Sequence, residues 1–281
     1  MIKFNIVSRH KPGWSRERFY YEWAFIHVSL MLHTAASMRR FRRYVQHYAN
    51  PDLPADCHLL PAPAQRWESI AEHWIEQLDT GSPGAEYTEQ MQPHSFSDSA
   101  MEIWYLHGEP RYQRADFGSG GVKVFHRLVA RPGISQQDWQ AQLQASHAPL
   151  VVEALANRGL RKYELDLPAP FSPDEFRARR KGTLLSEADI TPPAAVEEFW
   201  FDDLDAAVQL GRDAALRARL GASYAGFVDV GHSCSMIANE RVVFDFVSPT
   251  ERSPAPAVLS AGTLEATVFK TGRPYHEPRL G

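Results

Sequence analysis

Cysteine is almost missing from this chain: 281 residues contain only 2, Cys57 and Cys234. They stand far apart and form no CxxC pair, so neither a disulfide framework nor a thiolate zinc site is indicated, and both read as structural thiols. An excess of either charge is missing too. With 30 Lys+Arg against 34 Asp+Glu the formal charge is -4, and no long basic run offers a footing for a phosphate backbone, so nucleic acid is not an expected partner. No apolar run approaches the ~18 residues that span a bilayer, and MIKFNIVSRHK at the start has no apolar core of signal-peptide length. A membrane is therefore not an expected partner either, and the expected location is cytoplasmic. Cofactor loops are missing as well: there is no Walker loop, no HExxH, no GxSxG and no GxGxxG, since 118–121 reads GSGG with Lys123 where the third Gly would fall. No cofactor is expected, which leaves acid/base chemistry by His, Glu and Tyr.

What is present is a repeat. KPGWS at 11–15 returns as RPGIS at 131–135, an offset of 120. At that offset Phe19 matches Trp139, Trp23 matches Leu143, His27 matches His147 and Leu30 matches Leu150. RRYV at 42–45 answers RKYE at 161–164, the offset slipping to 119 between Tyr44 and Tyr163. IAEHWIEQL at 70–78 answers VEEFWFDDL at 196–204 at an offset of 126. One gapped duplication accounts for all of these.

Each copy has the same order of elements. IKFNIV at 2–7 and VKVFHRLV at 122–129 are short β-branched and aromatic segments that run into a basic-Pro-Gly turn, and so read as strands. A helix follows each, capped by Ser15 or Ser135, with Phe19, Trp23 and His27 on one face of the first and Trp139, Leu143 and His147 on one face of the second. Pro149 is expected to bend or end the first segment of the second helix. A basic-Tyr strand comes next, then a proline-rich insertion at 51–64 or 168–193, then a strand carrying Trp74 or Trp200. Equivalent enlarged loops of this kind tend to cover a site. A helix is clear at 203–221, with Gly221 as its stop, whereas its counterpart at 79–96 is interrupted by Gly and Pro. Last strands are expected at 99–107 and 242–247. The order is βαββαβ twice.

A strand, [KR]-P-G-x-S, an amphipathic helix ending in Ser-His-Ala-Pro-Leu at 146–150, a basic-Tyr strand and an acidic-aromatic strand leading into D-x-L together resemble the EthD family. The first copy departs from the pattern at His27-Val28-Ser29-Leu30, which lacks the proline. The resemblance implies an α+β fold in which tandem ferredoxin-like βαββαβ repeats close on each other as an intramolecular, pseudo-dimeric barrel. The expected parts are a first repeat at 1–117, a second at 118–248 and a proline-rich tail at 249–281, whose five prolines in 33 residues leave it free to bridge to a neighbour in a homodimer. The resemblance also implies cofactor-independent decarboxylases or dehydratases of aromatic or polyketide-type acids, while the wider barrel superfamily includes isomerases, monooxygenases and haem enzymes. Fold alone does not choose among them.

Such a lyase needs a proton donor or acceptor, polar groups for a carboxylate or enolate, and an apolar enclosure. His27 and His147 are the expected catalytic histidines, with Tyr44 and Glu72 assisting. Each imidazole could equally serve a buried backbone group. Strand parity puts Glu72 beside Trp74 and Glu198 beside Trp200, and a carboxylate beside an indole is expected to have its pKa raised by desolvation. The substrate-binding candidates are Trp23, Trp74, His73, Trp200 and Tyr163. Lys3 and Lys123 also coincide and could hold a substrate carboxylate, although a lysine at a strand start is ordinarily solvated. His10, His27, His33, His47, His58 and His73 put six of the 12 histidines in the first 73 residues, which favours the first copy as the active one. None of these forms a close ligand spacing, so no metal is expected. The leading expectation is a lyase for a small aromatic acid. The rivals are a cofactor-free monooxygenase and a non-catalytic binding protein for small aromatics.

Overall fold

The computed structural model describes residues 1–33, 40–64, 66–76, 95–118 and 120–247. Eight antiparallel strands close into a barrel: β1 (Ile2–Ser8), β2 (Phe41–Ala49), β3 (Ser69–Ile75), β4 (Glu102–Gln113), β5 (Gly121–Leu128), β6 (Leu160–Pro168), β7 (Ala195–Phe201) and β8 (Cys234–Asp245). Around the barrel they run β1-β3-β2-β8-β5-β7-β6-β4, so β4-β1-β3-β2 and β8-β5-β7-β6 have the same internal order and meet at β2–β8 and β4–β6. Those seams explain why β4 and β8 outrun the expected 99–107 and 242–247. Each must pair within its own half and then across to the other.

The expected first helix of each half is present, with a π-helical turn in its middle. In the first half α1 (Arg16–Tyr21) passes through the turn Glu22–His27 into α2 (Val28–His33); in the second, α3 (Gln136–Ala141) passes through Gln142–His147 into α4 (Ala148–Leu155). Ser15 and Ser135 cap as expected, accepting from the backbone N–H of Arg18 and Asp138. Pro149 does not end the helix: it stands in the first turn of α4, where its missing N–H is harmless. The first half makes the same π turn with Ser29 at that position, so the proline does not cause it. Both turns end on a histidine, His27 or His147, and such turns concentrate at functional sites.

The second half adds α5 (Pro173–Arg179), α6 (Leu204–Arg212) and α7 (Ala214–Phe227). Gly221 does not stop the last helix as expected. The break falls at Asp213, whose extended backbone ends α6 and whose carboxylate caps α7 by accepting from Leu216 N–H. The weaker helix expected at 79–96 falls almost wholly outside the described residues, as does the tail at 249–281.

The two insertions are exchanged between the halves. The first half's insertion packs Cys57 and Leu60 into the second half's core, and Ser235 N–H donates to Pro61 carbonyl. The second half's insertion packs Phe176, Leu185 and Ile190 into the first half's core, with Asp189 bonded to Met101 and Ile103 of the β4 region. Each insertion therefore covers the other half, which ties the halves together beyond the two seams. The closest approach is at Gly211 of α6, where a Cβ would meet Asp56 carbonyl oxygen at 2.4 Å and Cys57 carbonyl carbon at 2.3 Å. Gly211→Ala is expected to destabilise the fold by about 1–3 kcal/mol, read by urea unfolding, because backbone rather than a flexible side chain blocks the methyl. No helix among the described residues is long and apolar enough to cross a membrane.

Candidate acid–base site

Alternation along the strands creates three environments: the barrel interior and one sheet–helix layer in each half. β3 sends Glu72 and Trp74 inward and His73 toward the helices; β7 sends Glu198 and Trp200 inward and Glu197 toward the helices. The expected partners of Glu72 and Trp74, and of Glu198 and Trp200, thus do share a face. The expected trio of His27, Tyr44 and Glu72 does not come together, because the sheet lies between Glu72 and the other two.

The interior holds a buried charge network. Lys3 Nζ lies 2.6 Å from Glu164 Oε1, 2.9 Å from Asp166 Oδ2 and 2.7 Å from Glu198 Oε2. Lys123 Nζ lies 2.9 Å from Glu198 Oε2 and 3.1 Å from Glu72 Oε2, over the face of Trp200. Neither lysine is solvated. Trp74 donates to Glu72, and Trp200 to Glu240. Glu72 departs from expectation in the sign of its shift: burial opposes its charge, yet Lys123, Lys3, His47 and Arg43 together hold it well below the usual carboxylate range. Asp166 goes the other way: burial and the Glu198 charge beside it raise it well above the usual carboxylate range, against the pull of Lys3. Glu164, Asp166 and Glu198 are also the one trio of potential metal ligands among the described residues, and Lys3 occupies their centre.

In the first half's sheet–helix layer, Trp23 donates to Tyr44 Oη at 2.9 Å, and His73 stacks on Tyr44 with ring centroids 4.6 Å apart and donates to Phe4 carbonyl. His27 lies edge-on to Phe96. Burial pushes His27 down to about 4 and His73 to about 3, so both are neutral near pH 7. Among the described residues no carboxylate stands here: Ala71 occupies the place that Glu197 has in the other half.

The second half's layer is built differently. Glu197, fully buried on β7, accepts from Tyr163 Oη of β6 at 2.5 Å and from Tyr224 Oη of α7. His147, at the end of its π turn, places Nε2 3.3 Å from Glu197 Oε1 and Nδ1 2.8 Å from Ser223 Oγ. His126 of β5 lies 2.9 Å from Tyr224 Oη and 3.6 Å from Glu197 Oε2. Burial opposes the charge of Glu197, but His147 and His126 hold it ionised, far below the usual range. Burial and the Glu197 charge push both phenols well up, so they remain donors. Of the expected residues this layer contains His147 and Tyr163; Glu197, His126 and Tyr224 were not singled out from sequence. The paired glutamates at 197–198 hold one available signal, since consecutive strand residues face opposite sides. His126 sat in a strand already identified. Tyr224 had no signal, because it depends on α7 running past Gly221.

Phe227 closes this layer, its ring 5.4 Å from that of His147. A separate groove of about 530 Å³ is lined by Arg131, Ile134, Gln142 and Gly226.

Two solved structures are similar to this chain at low identity. One, from Lactobacillus acidophilus NCFM and provisionally named a monooxygenase, is 8% identical with a TM-score of 0.44, over 85% of this chain and 93% of that one. The other, from Fusobacterium nucleatum subsp. nucleatum with the same provisional name, is 7% identical with a TM-score of 0.45, over 86% and 93%. No curated protein sequence matches. The family model of the EthD domain matches in two segments, 11–99 and 131–231, which together exceed half the sequence, and the chain accordingly belongs to the EthD family in two tandem copies.

Proposed function

We propose that this protein is a cofactor-independent lyase, a decarboxylase or dehydratase for a small aromatic or polyketide-like acid, and that the second repeat rather than the first does the chemistry. The observation that carries the reading is the convergence of His147, His126, Tyr163 and Tyr224 on one ionised, buried carboxylate, Glu197. Histidine is the side chain whose ordinary titration lies nearest neutrality. Glu197 lies 3.3 Å from one ring nitrogen of His147, and Ser223 holds the other. In decarboxylation the C–C bond to the carboxylate breaks, its electron pair stays on carbon as carbon dioxide leaves, and His147 delivers the proton that carbon takes. For a phenol of Tyr163 or Tyr224 to hold the enolate oxygen that carries the charge meanwhile, it turns its O–H away from Glu197, to which both donate. The layer around His27, where no described carboxylate stands and burial holds the rings neutral, suits binding better than proton transfer.

The reading is tested by incubating metal-stripped protein with a panel of aromatic and polyketide-type acids and following carbon dioxide release or loss of water. Glu197→Gln is expected to keep the fold but lower kcat by roughly 10²-fold or more, whereas His27→Leu keeps most of the activity. Loss of turnover on chelation, or full activity in Glu197→Gln, overturns the proposal. Oxygen consumption would identify a monooxygenase instead, and saturable quenching without product a binding protein.

A further inference from the structure

The first half's sheet–helix layer holds a buried cation, lent by β8 of the second half, with no buried anion beside it among the described residues. Arg241 of β8 stands opposite Gln46 of β2 and is 4% exposed. Its Nη1 donates to Gln46 Oε1 at 2.8 Å, to Tyr48 Oη at 3.2 Å and to Ala24 carbonyl at 3.4 Å. These three acceptors fix the guanidinium plane. Nε and Nη2 are buried and have no hydrogen-bond partner, and among the described residues no carboxylate pairs with this side chain. Its neighbour Glu240 points into the barrel toward Lys123 and Trp200. The helix-facing side chains closest in the sheet, Tyr44, Gln46, Tyr48 and Ala71, supply no negative charge.

A guanidinium keeps its charge in proteins, and a buried one without an anion is costly. The edge left open is also informative. Nε and Nη2 form one of the two forks that meet a carboxylate with a pair of parallel hydrogen bonds. Beside it lie flat faces, with Trp23 and Tyr48 in ring contact at 4.9 Å and Trp23 bonded to Tyr44. The π turn takes part as well, because Trp23 carbonyl accepts from Gln46 and Ala24 carbonyl from Arg241. The second half has Leu165 in place of Gln46 and builds nothing equivalent.

We propose that the first repeat binds a small aromatic carboxylate, its two oxygens on Nε and Nη2 of Arg241 and its ring against Trp23 and Tyr48. This site is separate from the His147–Glu197 cluster and does not rest on the lyase reading. The probe is benzoate, with benzamide as a neutral control of the same shape, titrated into the full chain by calorimetry and tryptophan fluorescence. Benzoate is expected to bind saturably and to raise Tm, benzamide at least tenfold more weakly, and Arg241→Met to weaken benzoate by roughly tenfold or more. Glu197→Gln is expected to bind benzoate as the wild type does, so a failure of this site and a failure of the lyase reading are told apart. Equal affinity for benzoate and benzamide, unchanged benzoate affinity in Arg241→Met, or no saturable benzoate binding at all overturns the proposal. Should Arg241→Met fail to fold, the benzoate and benzamide comparison on the wild type decides alone.

Discussion

Lys3→Met is expected to lower the folding stability by about 3–5 kcal/mol near neutral pH, measured by urea unfolding. The ammonium it removes is the shared partner of Glu164, Asp166 and Glu198, all buried on the barrel axis. Lys162 remains on Glu164 and Lys123 on Glu198, so each glutamate is left with one cation in place of two, and Asp166 loses its ammonium contact. The loss comes from stranding charge rather than from any large net worth of the pairs, since continuous apolar packing often matches a buried ion network. Two consequences separate these ideas. First, adding Glu198→Gln to Lys3→Met should recover part of the stability, a coupling that independent sites would not show. Second, the gap between variant and wild type should narrow on acidification. In the wild type burial opposes the charge of Glu164, but Lys3 and Lys162 hold its pKa down to about 2, so its contribution is present above the ordinary carboxylate range and fades as pH falls toward that value. Without Lys3 only Lys162 opposes the burial of this carboxyl, so it is depressed less and its protonation costs the folded variant less. A uniform penalty at every pH would point to lost packing of the lysine stem.

The interior network also shows how far the sequence could be read. The repeat offsets, the strand parity and the turn chemistry are local, and they carried the two tandem copies, the serine-capped helices and the shared faces of Glu72 with Trp74 and of Glu198 with Trp200. Lys3 and Lys123 could not be read that way. A lysine at a strand start is normally solvated, and only closure of the barrel brings Glu164, Asp166 and Glu198 from the other half around Lys3. For the same reason the sign expected for Glu72 reversed: burial beside an indole was legible, the two lysines facing it were not. The histidine count favoured the first half, yet charge decides where protons can move. Ala71 there and Glu197 in the second half differ at one aligned strand position, and that difference places the carboxylate. Arg241 gave no local signal at all, because its isolation depends on the β2–β8 seam.

His27 and His73 are expected to make the protein progressively less stable as pH falls below about 6.5, well before its carboxylates titrate. Burial holds His27 at about 4 and His73 at about 3, and His73 is held neutral even though Phe4 carbonyl accepts from its ring. A group depressed in the folded state contributes stability above its unfolded pKa and loses it as pH falls toward the folded value. The two rings therefore withdraw stability together from about pH 6.5 down to about 4, and His73 continues to about 3. Two such protons correspond to about 2.7 kcal/mol per pH unit. His58, also held down by burial, adds to this loss, whereas Asp166 and Glu102, both raised by burial, oppose it, since their folded forms gain relative stability as pH falls. Below the ordinary carboxylate range Glu72, Glu164, Glu197 and Glu240, all depressed, add their own losses, and the decline steepens. His73→Phe copies the second half, which has Phe199 at this position stacked on Tyr163 as His73 stacks on Tyr44. It should remove about one proton, roughly 1.4 kcal/mol per pH unit, from the slope between about pH 6 and 4.5. Urea unfolding across that range decides the matter: an unchanged slope in His73→Phe would mean the ring is solvated and protonated in the folded protein, and the neutral first-half layer would be lost with it.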